Sequence, residues 1–322
     1  MFERLSIPLK GANLLNSRPM TSRRNLLKTL ALAPMALAAG SASAETPEKK
    51  ESTFRFSLNT STIRGQKLNL PQIIELAARA GYDGFEPWMM EIEAYVKEGK
   101  TVASLKKLAS DAGLEFFDCI GFPTWMAQDE EKSKTGFAQM EKEMGILAEL
   151  GCPRVAAPAI GTEAPLDLLK AGERYKKLLE LGRKTGVMPQ LEFWGAFPSF
   201  FHLGQAMAVA AAADDKDAKI LADVYHLFRG GSGFEGMKML DGHAIDIFHM
   251  NDFPKEIPRT EQQDKDRVFP GDGGAPMQEL ADTLKSKGKP IILSLELFNP
   301  TYYAMDAEYV IKTGLEKMKR FF

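Results

Sequence analysis

Eight short apolar runs, each followed by a loop and then by a helical pattern, constrain this 322-residue chain more than any other feature. The runs are Phe54–Asn59, Gly84–Trp88, Glu115–Ile120, Arg154–Pro158, Val187–Phe193, Lys219–Tyr225, Ile245–Met250 and Pro290–Leu297. Apolar runs of this length read as strands buried on both faces. The segments between them carry helix punctuation. Pro71 sits in a first turn, Gly81 closes that helix at Ala80, Gly113 closes one over Val102–Ala112, Gly151 ends the next, and a helix over Asp167–Lys184 stops before Gly186. Further helices are expected over Phe201–Ala213, near Phe234–Leu240, up to Lys287, and over Ala307–Lys319. Strands alternating with helices build a parallel sheet, and eight such units are the count of a closed (β/α)8 TIM barrel. An open doubly wound sheet would want G-x-G-x-x-G after its first strand. That stretch instead reads Asn59-Thr60-Ser61-Thr62-Ile63-Arg64-Gly65. The expectation is an α/β, single-domain TIM barrel over residues 53–322.

The residues before the barrel read differently. Thr21-Ser22-Arg23-Arg24-Asn25-Leu26-Leu27-Lys28 resembles a twin-arginine export motif, an Ala-rich apolar stretch runs from Thr29 to Gly40, and Ala42-Ser43-Ala44 is a small-x-small cleavage signal. Residues 1–44 are therefore expected to be a signal peptide and 45–52 a polar linker, with Met20 as an alternative start. This implies the twin-arginine machinery as a partner and a periplasmic location. Loss of six basic and one acidic residue with the signal takes the net charge from −2 to −7. A chain this acidic has no electrostatic case for nucleic acid. Cys119 and Cys152 fall near opposite ends of the expected barrel and read as free buried thiols.

Four strand ends carry chemistry. Ile220-Leu-Ala-Asp223-Val-Tyr-His226 closes on an acid and an imidazole three residues apart. Continued as a strand to Tyr225, it puts Asp223 and Tyr225 on one face and Val224 and His226 on the other, with a turn bringing His226 back toward Asp223. The others end on Glu192, on His249 and on Glu296. In a TIM barrel the C-terminal strand ends share one mouth. An apolar setting such as Leu191, Phe193, Leu295 and Leu297 makes an unpaired carboxylate costly. Three carboxylates and one imidazole suit a single divalent ion, Mn²⁺ first, with Mg²⁺, Co²⁺ or Zn²⁺ also compatible. Asn59, Glu86, Trp88 and Trp194 also stand at strand ends and are candidates to line a substrate pocket at that mouth.

Several motifs together resemble the xylose isomerase-like barrel superfamily, in the branch of sugar phosphate isomerases and epimerases that includes the ketose 3-epimerases and inosose dehydratases. They are Gly81-Tyr-Asp-Gly-Phe-Glu86, Gln190-Leu-Glu192, Asp223-Val-Tyr-His226, His249-Met-Asn-Asp252, Arg267-Val-Phe-Pro-Gly-Asp-Gly273 and Leu295-Glu296. The resemblance runs from residue 54 onward. It implies that Glu192, Asp223, His249 and Glu296 bind one metal, that Glu192 and Glu296 double as acid and base, and that His226 and Arg267 contact substrate oxygens. The Pro270-Gly-Asp-Gly-Gly274 turn would bring backbone near the site, or else simply precede a helix.

These readings imply an isomerase or epimerase acting through an enediolate on a free, non-phosphorylated sugar, since phosphosugars are largely cytoplasmic. A lyase, hydrolase or dehydratase acting on a 3-keto sugar, glycoside or inosose is the runner-up, and a non-catalytic exported sugar-binding barrel the third reading. The endonuclease-IV-like relatives, with their many histidines, do not fit a chain with four. Self-association is left open.

Overall fold

The computed structural model describes residues 54–322; the expected signal peptide and linker lie outside the described residues. Eight parallel strands form one sheet: β1 (Phe54–Asn59), β2 (Gly84–Glu86), β3 (Glu115–Phe116), β4 (Arg154–Pro158), β5 (Met188–Glu192), β6 (Ile220–Asp223), β7 (Ile247–Met250) and β8 (Ile291–Leu295). Their order is β3-β2-β1-β8-β7-β6-β5-β4. Beyond β3 the chain regains a parallel bridge at Ile120, to Trp88 on one side and to Ala156 of β4 on the other, which joins the two sheet edges. The expected TIM-barrel architecture is what the chain adopts.

The layers follow from alternation along the strands. Side chains pointing outward pack on the helices in one large apolar core. Inside the barrel, Leu221, Ile247 and Ile292 join Phe117, Ile120 and Ala156 in a separate apolar plug. Leu221 and Ile247 each lie two residues before Asp223 and His249, so those pairs share the inward face. Register then assembles the polar mouth: Asp223 stands beside His249, His249 beside Ser294, and Ser294 beside Ser57.

Several boundaries differ from expectation for local reasons. β2 stops at Glu86 because Pro87 has no N–H for the ladder, and an unforeseen helix, Met89–Lys97, follows Trp88. The third strand ends at Phe116, short of the expected Ile120, and just beyond it the Asp118 carboxylate accepts the Cys119 N–H at 2.9 Å. The expected extended stretch to Tyr225 is a helix, Val224–Arg229, because the Asp223 carboxylate accepts the His226 N–H at 2.8 Å and caps it. His226 thus returns toward Asp223 through one helical turn. The segment near Phe234–Leu240 is a 3-10 turn, Glu235–Met239. Cys119 and Cys152 are both free and buried.

The loop after β7 is the longest polar excursion, and Asp252 fastens it. Its buried carboxylate accepts backbone N–H groups from Phe253, Gly271, Gly273 and Ala275 at 2.8 to 3.1 Å. Asp252 and Val268 also exchange backbone hydrogen bonds at 2.9 Å. The glycines at 271–274 serve this cradle, not the cavity: Gly271 has φ +85°, and a Cβ at Gly273 would overlap the Phe253 carbonyl oxygen. Asp252→Ala leaves those buried amides without an acceptor. It is expected to cost about 3 kcal/mol in urea unfolding and to expose the loop to limited proteolysis.

Candidate active site

His249 is the hub of the barrel mouth. It is fully buried, and its two ring nitrogens face different groups. Nε2 lies 3.0 Å from Glu86 Oε1. Nδ1 faces Glu296 Oε2 at 3.3 Å, Asp223 Oδ2 at 3.8 Å and Glu192 Oε1 at 3.9 Å. Asp223, His249 and Glu296 each bring one donor atom within 4.8 Å of the others, and Glu192 stands outside that tight group. The three carboxylates of the expected ligand set therefore face a ring nitrogen of its fourth member.

The donor set fits a cation. His249 Nδ1 and Glu192 Oε2 are buried and have no hydrogen-bond partner among the described residues. A ligating imidazole ordinarily donates its other N–H to a carboxylate, which fixes its tautomer and aim. Glu86 is that carboxylate. Its second oxygen accepts from Asn59 Nδ2 at 2.7 Å and Ser294 Oγ at 2.8 Å. Asn59 in turn donates to Glu296 Oε1 at 3.2 Å and accepts the Trp88 indole N–H at 3.0 Å. Glu86 and Asn59, expected on the pocket wall, lie behind it and brace the ligands.

Arg267, from the loop after β7, is the fixed cation of the site. It is 1% exposed, and its Nη1 donates to Glu296 Oε2 at 2.7 Å and Asp223 Oδ2 at 3.0 Å. Its Nη2 and Nε donate to Asp264 Oδ1 at 2.6 and 3.1 Å. Asn251 holds Asp223 from the other side, Nδ2 to Oδ2 at 2.7 Å.

This distribution of charge separates the two glutamates. Burial, reinforced by Glu296, pushes Glu192 up to about 8, against the pull of His249. Burial acts on Glu296 too, but His249 and Arg267 outweigh it and hold that carboxyl well below the usual range. Burial opposes the charged form of His249, yet Glu86 and Glu296 raise it. Burial lowers His226 and keeps its ring neutral. His226 Nδ1 accepts the Gly195 N–H at 3.1 Å, so the ring proton sits on Nε2, 3.2 Å from Arg267 Nη2. Two donors side by side lack a shared acceptor.

A cavity of about 300 Å³ opens above these groups. Trp88, Trp194, Glu192, His226, Arg267 and Glu296, all singled out from the sequence, line it. Asp223 and His249 lie beneath it. Sequence reasoning missed Asp264, Phe122, Phe197 and Phe298, which also line it. Asp264 was signalled only by standing three residues before Arg267, and Phe298 by following Glu296.

The family model described as "Xylose isomerase-like TIM barrel" matches residues 74–321. An inosose isomerase of Bacillus velezensis is 30% identical over 254 residues, covering 77% of this chain and 90% of that protein. A 3-dehydroshikimate dehydratase of Pseudomonas aeruginosa is 26% identical over 259 residues, 77% of this chain and 39% of that longer protein. Among solved structures, the IolI protein with a bound zinc atom superposes with TM-score 0.77 at 24% identity, over 83% of this chain and 99% of that one, a likeness of fold.

If Glu86 aims His249, its isosteric loss is felt at the ion. Glu86→Gln is expected to weaken Mn²⁺ or Zn²⁺ binding by about 10- to 100-fold in calorimetric titration of chelator-stripped protein. His249→Ala is expected to abolish the rise in melting temperature that the ion confers.

Proposed function

Because the chain belongs to the xylose isomerase-like TIM barrel family, we propose that it is a metal-dependent isomerase acting on a small, uncharged polyol ketone of the sugar or inosose class. One observation carries this reading: Asp223, His249 and Glu296 gather donor atoms within 4.8 Å at the floor of a cavity whose wall holds a second glutamate, Glu192. The relatives' names favour an isomerase, with dehydration as the neighbouring chemistry.

A divalent ion held by Glu192, Asp223, His249 and Glu296 supplies Lewis-acid charge for a carbonyl oxygen turning anionic. Mn²⁺ is our first choice for this oxygen-rich set, with Zn²⁺ next. The protein's own groups do the rest. A glutamate carboxylate takes the proton from the carbon beside the carbonyl; the C–H electron pair becomes the C=C of an enediolate, and the carbonyl pair moves to oxygen. Return of a proton to the opposite face of that carbon inverts it. Return to the former carbonyl carbon, with the hydroxyl proton crossing between the two oxygens, moves the ketone. Glu192 and Glu296, with acidities pushed apart, are the acid–base pair. His226 Nε2–H and Arg267 Nη2–H supply the paired donors for the oxygen that gains charge.

The cavity wall also bears on substrate charge. Arg267 is the cation among its lining residues, and Asp223, Asp264 and Glu296 already share that charge. Deep in the cavity a phosphate would meet Glu192, Glu296 and Asp264, with Arg267 already shared among acids; the exposed Arg64 stands outside, over the face of Trp88. A non-phosphorylated substrate suits this wall, and it also suits export by the twin-arginine route with the ion loaded beforehand.

The test is turnover of inososes and ketoses by Mn²⁺-loaded protein in D₂O. Solvent deuterium is expected at the carbon beside the carbonyl, with no loss of water or fragment. Glu192→Gln and Glu296→Gln are each expected to lower kcat by about 10²- to 10⁴-fold. Release of water would make the chain a dehydratase; sugar binding without exchange would make it a binding protein.

A further inference from the structure

The cavity has an upper zone that proton transfer does not use. Above the acids, five aromatic rings, four half-buried and Phe122 exposed, follow one another edge to face in the order Phe298, Trp88, Phe122, Trp194, Phe197. Their centroids are 6.2, 5.1, 6.0 and 5.9 Å apart, with interplanar angles of 74°, 61°, 66° and 85°. They come from the loops after β8, β2, β3 and β5, and all five line the cavity. The polar wall groups come from the ends of β5 and β8, the helix after β6 and the loop after β7; Trp194 and Phe298 each stand two residues beyond a wall glutamate, Glu192 and Glu296, so the collar continues the same strand ends outward.

A bare polyol ring carries a hydroxyl on almost every carbon, and each buried hydroxyl wants a partner. The collar offers few. The Trp88 N–H is already given to Asn59 at 3.0 Å, and the phenylalanines have none to give. Arg64 stacks on Trp88 at 3.7 Å, which steadies that ring at the rim. Five rings in edge-to-face contact present a preformed apolar slot, the kind of lining that takes up a flat apolar group.

We propose that the natural substrate carries an apolar, planar substituent, such as an aryl aglycone, on its polyol ring. The substituent lies in the collar while the ring's ketone lies over the acids. The sugar half of this inference rests on the function proposed above; the aromatic half rests on the collar.

The experiment compares two unreactive probes, phenyl β-D-glucoside and methyl β-D-glucoside, titrated into the full Mn²⁺-loaded protein with tryptophan fluorescence and calorimetry as readouts. Phenyl glucoside is expected to bind at least about tenfold tighter, through aromatic contact. Phe122→Ala and Phe197→Ala are each expected to erode most of that advantage while Mn²⁺ affinity stays as in the parent protein. Equal affinities for the two probes, no binding of either, or an advantage that survives both substitutions would overturn the proposal. A phenyl preference without deuterium exchange in any polyol ketone would sink the isomerase reading and leave the collar standing. Exchange in a free inosose with no phenyl preference would do the reverse.

Discussion

Burying carboxylates is the constraint around which this barrel mouth is arranged. Glu86, Glu192, Asp223 and Glu296 are 0, 3, 1 and 4% exposed. Acids so far from water are costly unless positive charge or donated hydrogen bonds compensate them. Glu86 has three donors around it, Asp223 has Asn251 and Arg267, and Glu296 has Asn59 and Arg267. Glu192 has the least, and its acidity is the one driven upward. Uneven compensation is what sets the acidities of two chemically alike side chains, Glu192 and Glu296, apart.

The scaffold supplies that unevenness through register and through one loop. Parallel pairing sets Asp223 beside His249, and alternation keeps both inward over the apolar plug. Arg267 reaches the same acids from the loop after β7, which the Asp252 carboxylate ties down by its backbone. A cation on a tethered loop and acids at strand ends let the mouth hold charge. The aromatic rings line the cavity above them.

The eight-unit alternation and the acids at the strand ends were legible in the sequence because both depend on local pattern. Apolar runs mark strands, glycines mark helix ends, and a charged residue after an apolar run marks a mouth. What was not legible depended on side chains meeting across the barrel. Glu86 read as a pocket residue because its strand end resembles the others; only the fold shows His249 Nε2 beside it. The helix beginning at Val224 was hidden by a β-propensity run, Val224-Tyr225, and decided by a single capping carboxylate, Asp223. Phe122 and Phe197 sit in loops whose direction no periodicity records. The residues expected to direct export lie outside the described ones.

Crystals of the protein soaked in Mn²⁺ and measured near the manganese edge would test the account at its centre. It predicts one anomalous peak per chain, within bonding distance of His249 Nδ1 and of oxygens from Asp223, Glu192 and Glu296. A mouth without such a peak, with the ion instead on surface carboxylates, would contradict it.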